Sequence, residues 1–198
     1  EHLEYYSVSV LKELLEHHDL RIFDAELNAS NGGSHRLYVC HQNSAFKTNH
    51  NSVKDILENE KRIDLLDNQT YLEFMSRCKI EMKKLFDFVQ DKLKSGKKFH
   101  IYGASTKGNV LLQFCSLGVK QIEIAAERNP RKWGCYTPGT KIPIQSEKAS
   151  RDLCPDYYIV LPWHFRDEFI MREAEFLKKG VSFIFPLPYF EVYSDDEA

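Results

Sequence analysis

The C-terminal half of this 198-residue chain is predicted to form an α/β fold with a doubly wound, mainly parallel sheet. Short apolar runs alternate there with helix-compatible segments, which is the pattern of repeated strand–helix units. These runs are apolar throughout, as expected of strands that are covered on both faces. A glycine-containing turn also joins the first run directly to a helical segment, as in sheets that bind ligands at the carboxyl ends of their strands.

The elements of this sheet follow from the same alternation. The predicted strands cover residues 99–102, 121–126, 156–161 and 181–185. The predicted helices cover residues 106–117 and 165–179, and Gly180 ends the second one. Because parallel strands end at a common edge, the segments that follow them should lie together there. Those segments are residues 103–109, 127–130, 162–164 and 186–188.

The chain before residue 98 has a different character. Ser7 is predicted to cap a helix with apolar residues at helical spacing, and residues 20–23 and 37–40 are predicted strands of a hairpin. A polar stretch then carries helical patterns over residues 53–60 and 69–93. We therefore divide the chain into a helix and hairpin, a helical bridging segment, a sheet domain and an acidic tail, over residues 1–42, 43–97, 98–192 and 193–198.

Composition excludes several classes of function. A formal net charge of −2 argues against a nucleic-acid partner, and no apolar run approaches the length of a membrane span. The five cysteines are scattered and never spaced as CxxC, so neither a metal site nor a disulfide framework is predicted. We expect a soluble protein of the reducing cytoplasm, with no metal and no membrane partner.

The turn after the first strand is a candidate anion site. It has the sequence Gly-Ala-Ser-Thr-Lys-Gly-Asn over residues 103–109, and it places backbone N–H groups and a helix N-terminus at one point. It matches neither the phosphate-binding GxxxxGK[ST] loop nor the dinucleotide pattern GxGxxG. Lys107 is a candidate phosphate ligand or a solvated loop lysine. Ser105 is a candidate phosphate contact or a helix cap.

Further candidate site residues lie directly after the second and third predicted strands and at the start of the chain. Arg128 could bind a phosphate or form a surface ion pair with an acidic neighbour. His164 could donate a hydrogen bond to a phosphate beside Trp163, which is otherwise a core residue. His2, next to Glu1, could be a general base, although an unordered terminus explains these two residues more simply from the sequence alone.

Several segments together resemble the S-adenosylmethionine-dependent sugar C-methyltransferases. Residues 1–7 are similar to the EHxxYFS motif of that family, and residues 31–38, Asn-Gly-Gly-Ser-His-Arg-Leu-Tyr, are similar to its HGGSLRVY motif. The sheet region resembles the C-terminal domain of the family in six segments, at residues 103–109, 128–130, 137–144, 155–157, 161–163 and 186–188. The resemblance covers nearly the whole chain.

The resemblance implies a fold and a reaction. Residues 1–42 would be the tail of a methyltransferase domain, and residues 98–192 a Rossmann-like C-terminal domain. Members of the family methylate a carbon of a nucleotide-linked keto-deoxysugar. By motif position, Glu1 and His2 would lie in the active site as the catalytic residues, and His2 would remove the proton beside the sugar keto group. The substrate-binding residues implied are Tyr5, Ser105, Lys107, Asn109, Arg128 and His164.

The resemblance also implies what this chain does not contain. The family binds S-adenosylmethionine in a glycine-rich loop and zinc in a cysteine cluster, and neither is found in this sequence. We therefore expect the chain alone to be inactive as a methyltransferase. The alternative function is a non-catalytic nucleotide or sugar-nucleotide binding module. A nicotinamide-dependent oxidoreductase is disfavoured because the GxGxxG pattern is broken.

Overall fold

The computed structural model describes residues 4–30 and 33–195. Contacts within the chain divide it into two compact units, Glu1–Met75 and Ser76–Ala198. Glu1, His2 and residues 31–32, which lie between the two predicted hairpin strands, are outside the described residues. No helix in the described part of the chain is both long enough and apolar enough to cross a membrane.

Unit 1 is a two-stranded antiparallel sheet with two helices. The predicted cap and the predicted hairpin are confirmed: the Ser7 hydroxyl accepts a hydrogen bond from the amide of Val10 at 3.3 Å, and two strands pair in antiparallel register. Each strand is longer than predicted, because the ladder continues through polar positions toward the turn. The elements are α1 (Val8–Glu16), β1 (Leu20–Asn28), β2 (Ser34–His41) and α2 (His50–Arg62).

A buried carboxylate ties the two helices of unit 1 together. Glu60 of α2 accepts hydrogen bonds from the amides of Val8 at 2.5 Å and Ser9 at 2.8 Å. These amides belong to the first turn of α1, where N–H groups have no partner within the helix. The side chain of Glu60 therefore completes the start of α1 above a small apolar core. That core consists of Val8, Ile22, Ala25, Val53 and Ile56.

Unit 2 contains the predicted α/β sheet. Its six strands lie in the order β5-β4-β3-β6-β7-β8, and only β8 runs antiparallel to its neighbour. The strands are β3 (Phe99–Tyr102), β4 (Ile124–Glu127), β5 (Ile144–Ser146), β6 (Tyr157–Val160), β7 (Ser182–Phe185) and β8 (Glu191–Tyr193). The helices are α3 (Asn68–Lys94), α4 (Thr106–Phe114), α5 (Glu147–Asp152), α6 (Arg166–Arg172) and α7 (Ala174–Leu177), of which α3 begins in unit 1. The chain reverses direction across the sheet at β3, which is the topological switch point of a Rossmann-like doubly wound fold.

Helices cover both faces of this sheet, as the apolar strands predict. Phe99 and Ile101 of β3 pack with α3 and α4 in one buried cluster. Tyr102 belongs to a second cluster on the opposite face, where α7 and the aromatic residues of α6 pack. The alternation within a four-residue strand explains why all four of its side chains are buried.

Three details of the sequence prediction are wrong. The second strand begins at Ile124 and not at residue 121, because the amide of Ile122 bonds back to the carbonyl of Gly118 in a turn. The helix predicted over residues 165–179 is broken at Glu173, whose buried carboxylate turns toward Tyr102. The short elements β5, α5 and β8 were not predicted, because three to six residues do not establish a period.

The face of β3 that carries Tyr102 also buries a histidine. His100 is fully buried, and its Nδ1 lies 2.7 Å from the hydroxyl of Ser150, which in turn lies 2.7 Å from the hydroxyl of Tyr158. Burial lowers the pKa of His100, although Glu123, whose carboxylate lies 3.5 Å from Nε2, opposes that shift. The positive charge of Lys98 lowers the pKa further. The folded chain therefore favours a neutral imidazole at this position.

This burial predicts a pH-dependent stability. Below the ordinary histidine pKa of 6.5, the unfolded chain binds a proton at His100 that the folded chain resists. The free energy of unfolding should therefore fall as the pH drops below about 6.5, until the folded pKa is reached. His100→Asn, which keeps a polar atom near Ser150, should lose this part of the pH dependence. Denaturant unfolding at several pH values checks it, and parallel profiles for the two proteins would contradict it.

Candidate functional site

A cleft opens at the carboxyl edge of the sheet in unit 2. It has a volume of about 360 Å³ and lies where the ends of β3 and β4 meet the segment that follows β6. Residues 102–105 form one side, residues 126–128 another, and Pro162 with aromatic residues of the following segment forms a third. This is the edge at which the sequence predicted a ligand, next to the topological switch point.

Two glycines fix the turn that borders the cleft. Gly103 has a φ of +85°, and a β-carbon there would also lie 3.1 Å from the ring of Pro162. Gly108 lies within α4, and a β-carbon there would lie 2.7 Å from the β-carbon of Leu161. At Gly103 a side chain is disfavoured mainly by the positive φ. Because Gly108 has no room for a side chain, α4 packs directly against the end of β6. Its N-terminus is thereby brought to the edge of the sheet.

Ser105 has the capping role that its position suggested, while its contact with a phosphate stays a prediction. It is the N-cap of α4, where its hydroxyl oxygen accepts from the amide of Gly108 at 3.1 Å, and it also lines the cleft. A hydroxyl that accepts one hydrogen bond keeps its own proton as a donor. The cap therefore leaves Ser105 able to donate to a ligand oxygen.

The carboxylate of Glu127, at the end of β4, accepts hydrogen bonds from neighbouring groups of the protein. Its Oε2 accepts from the amide of Ala104 at 3.0 Å and from the ammonium of Lys132 at 3.1 Å. Its Oε1 accepts from the amide of Asn129 at 3.0 Å. Burial alone would raise the pKa of Glu127, but these three donors outweigh it and hold the pKa below its ordinary value. The side chain is therefore a carboxylate at neutral pH.

A second polar network closes the inner end of the cleft. The phenol of Tyr102 donates to Glu173 at 2.7 Å and accepts from Arg172 at 2.6 Å and Arg151 at 3.1 Å. Burial raises the pKa of Tyr102, and the nearby Glu173 raises it further, so the phenol stays protonated. Glu147 lies 3.3 Å from Arg151 and 3.5 Å from Arg172. The network anchors α5 and the break between α6 and α7 to the end of β3.

The charges that line the cleft are mixed in sign, but they are not equally engaged. Lys132 pairs with Glu127, and Arg172 pairs with Glu173 at 2.9 Å. Arg128 is exposed at the opening and makes no ion pair with any described residue. It is therefore a cation that an anionic ligand could engage without breaking an existing pair.

The structure brings together only some of the predicted site residues. Ser105 and Arg128 both line the cleft. Lys107, in the first turn of α4, is exposed and is not part of the lining. His164 is also outside the lining; burial lowers its pKa, and the charge of Lys107 lowers it further, so these two residues are near one another. Asn109 is half-buried in α4, and its buried Oδ1 has no hydrogen-bond partner among the described residues.

The N-terminal candidates belong to unit 1. Tyr5 precedes α1 and is 87% exposed. Glu1 and His2, the predicted catalytic pair, lie outside the described residues. Among the residues that the structure describes, no group of three or more side chains could hold a metal ion.

Several residues of the lining were not predicted from the sequence. Lys132 follows Glu127 by five residues, and this spacing was a usable signal once a tight turn at Asn129-Pro130 is assumed. Phe165, Phe169 and Arg172 enter the cleft from the segment after β6. They could not be found from local sequence, because no motif marks them and only the fold brings them to β3.

The chain is similar to known C-methyltransferases. A family model described as the C-methyltransferase C-terminal domain matches residues 29–188. A curated relative, C-methyltransferase NovU of Streptomyces niveus, is 33% identical over 188 residues. That match covers 95% of this chain but only 44% of the relative. The chain thus spans less than half the length of the relative that it matches.

The contact between Gly108 and Leu161 predicts an unusual response to substitution. Replacing a helical glycine by alanine usually stabilises a protein by up to about 1 kcal/mol. Gly108→Ala should instead destabilise unit 2 by roughly 1–3 kcal/mol, because the added methyl group has no space. Urea unfolding measures the change.

The double variant Gly108→Ala/Leu161→Ala supplies the control for this prediction. Its destabilisation should be smaller than the sum of the two single changes, since the shortened side chain makes room for the methyl group. A stabilising Gly108→Ala, or strict additivity, would show that α4 does not approach the sheet so closely.

Proposed function

Because the chain belongs to the C-methyltransferase C-terminal domain family, we propose that it is the C-terminal part of an S-adenosylmethionine-dependent C-methyltransferase. The proposed substrate is a nucleotide-linked keto-deoxysugar. The cleft of unit 2 binds the diphosphate of that nucleotide, and the N-terminal Glu1-His2 pair supplies a base. The reaction of the whole protein is part of this proposal, since the chain covers 44% of its relative.

The observation that carries the proposal is the convergence at the opening of the cleft. Ser105, which is the N-cap of α4, and Arg128, which follows β4, both line the cleft, so a helix N-terminus, a hydroxyl and a guanidinium belong to one edge of the sheet. Backbone N–H groups at a helix N-terminus suit an anion, and an arginine can bind phosphate oxygens in a bidentate manner. A diphosphate offers oxygens to all three donors.

The charge of the cleft does not decide between S-adenosylmethionine and an anion, because Arg128, Lys132 and Arg172 line it together with Glu127, Glu147 and Glu168. The ribose acceptor at the end of β4 is the more informative group. The acidic residue that could accept hydrogen bonds from the adenosine ribose, Glu127, already accepts from Ala104, Asn129 and Lys132. We therefore place the methyl donor outside this cleft and assign the cleft to the sugar nucleotide alone.

The proposed base acts on the sugar ring. A keto group acidifies the C–H bonds on the neighbouring carbon, and a neutral imidazole can remove such a proton near neutral pH. His2 is assigned this role by its motif, and Glu1 is assigned to the same active site by that motif. Deprotonation makes that carbon a nucleophile toward an electrophilic methyl group.

The second candidate function is a nucleotide or sugar-nucleotide binding module without catalysis. The engagement of Glu127 by Ala104, Asn129 and Lys132, which leaves it poorly placed to bind the ribose of S-adenosylmethionine, favours it for the chain taken alone. The two candidates share the diphosphate site and differ in whether the N-terminal histidine acts on the sugar.

Calorimetric titration tests the shared site. We expect thymidine diphosphate to bind the chain and Arg128→Gln to weaken that binding about tenfold, which corresponds to about 1.4 kcal/mol. The physical reason is the loss of a charge-assisted pair with the phosphate oxygens. Arg131→Gln is the matched control, because Arg131 is a nearby exposed arginine outside the lining of the cleft, and it should change the affinity little.

Two results would contradict the proposal. One is equal affinity of the two variants for the nucleotide. The other is binding of S-adenosylmethionine without binding of any nucleoside diphosphate, which would reverse the assignment of the cleft.

A further inference from the structure

We infer that Glu127 is a positioning residue that, together with Lys132, clamps the turn between β3 and α4 and so holds the diphosphate site in place. This inference rests on the proposed function. In doubly wound sheets an acidic residue at the end of the second strand commonly accepts hydrogen bonds from a ribose. Here the residue in that position has a different set of partners.

The carboxylate of Glu127 spans two loops. It accepts from the amide of Ala104 in the loop after β3 and from the amide of Asn129 in the loop after β4, each at 3.0 Å. A carboxylate offers roughly four acceptor positions, and with Lys132 three of them are used. The side chain is only 14% exposed, so little of it faces a ligand.

Lys132 completes the clamp from the other side. Its ammonium donates to the carbonyl of Ala104 at 2.8 Å as well as to Glu127 at 3.1 Å. Both backbone polar groups of Ala104 are therefore held by side chains that come from the β4 end. The indole of Trp133 donates to the carbonyl of Glu127 at 2.8 Å, which holds the backbone from which the Glu127 side chain extends.

The held residue directly precedes the anion site. Gly103 donates its amide to the carbonyl of Ala126 at 2.8 Å, and Ala104 is held by the clamp. Ser105 comes next and begins α4 as its N-cap. Fixing Ala104 relative to β4 therefore fixes the N-terminus of α4 relative to Arg128, which follows Glu127.

The variant Glu127→Gln separates this role from two others. If Glu127 only contributed its negative charge, its removal would tighten the binding of an anion. If it bound the ribose, its removal would weaken the binding of nucleotides and leave the binding of inorganic pyrophosphate unchanged. If it positions the turn, its removal weakens the binding of inorganic pyrophosphate, thymidine diphosphate and uridine diphosphate alike. We expect a five- to tenfold loss for all three ligands in calorimetric titrations.

A measurement without ligand tests the clamp itself. Hydrogen exchange at the amide of Ala104 should accelerate at least tenfold in Glu127→Gln and in Lys132→Met, since each removes part of the clamp. The amide of Ile101, in the middle of β3, should keep its protection if the variants remain folded. Arg131→Gln should leave the exchange of both amides unchanged.

The outcomes distinguish this inference from the proposed function. Binding of no diphosphate by the unaltered protein would overturn both. Tighter binding by Glu127→Gln, a loss restricted to the two nucleotides, or unchanged exchange at Ala104 would overturn the positioning role and leave the diphosphate site standing. A uniform loss accompanied by faster exchange at Ala104 supports the inference.

Discussion

The close approach of α4 to the sheet is the constraint on which the candidate site depends. Gly108 leaves no gap against Leu161, and Gly103 turns the chain beside Pro162 with a positive φ. With side chains at either position, α4 would start farther from the strand ends. The two glycines thus set the path of the turn, and this path determines where the polar groups of the site lie.

The charges of the cleft divide into those that hold the protein and those that face outward. Glu127 and Lys132 connect the loops after β3 and β4. Arg172 and its carboxylate partners join the later helices to Tyr102. Because these pairs are buried or half-buried, removing one partner leaves the other without compensation. Arg128 and Glu168 are exposed in the lining and make no ion pair with described residues, so Arg128 remains for an anion, and the selectivity proposed for the cleft depends on which charges are already paired.

The sequence was sufficient for the central strands of the sheet, but not for its edge strands β5 and β8, and only partly for the site. The four central strands were predicted, because buried parallel strands are continuously apolar, and the glycine turn marked the correct edge. Lys107 and Arg128 were both candidate anion ligands from their positions, but only Arg128 lines the cleft. Whether a turn lysine enters a cleft depends on the first turn of a helix, which no pattern in the sequence specifies. Arg172 was out of reach for another reason, since it lies 70 residues after Tyr102 and meets it through tertiary packing.

The most direct measurement is a crystal structure of the chain soaked with thymidine diphosphate. The account predicts that the diphosphate oxygens lie at the N-terminus of α4, within hydrogen-bond distance of Ser105 and of the Arg128 guanidinium, while Glu127 keeps its bonds to Ala104 and Lys132. Density for the nucleotide elsewhere on unit 2, or a Glu127 carboxylate released from Ala104 to bind the ribose, would contradict it.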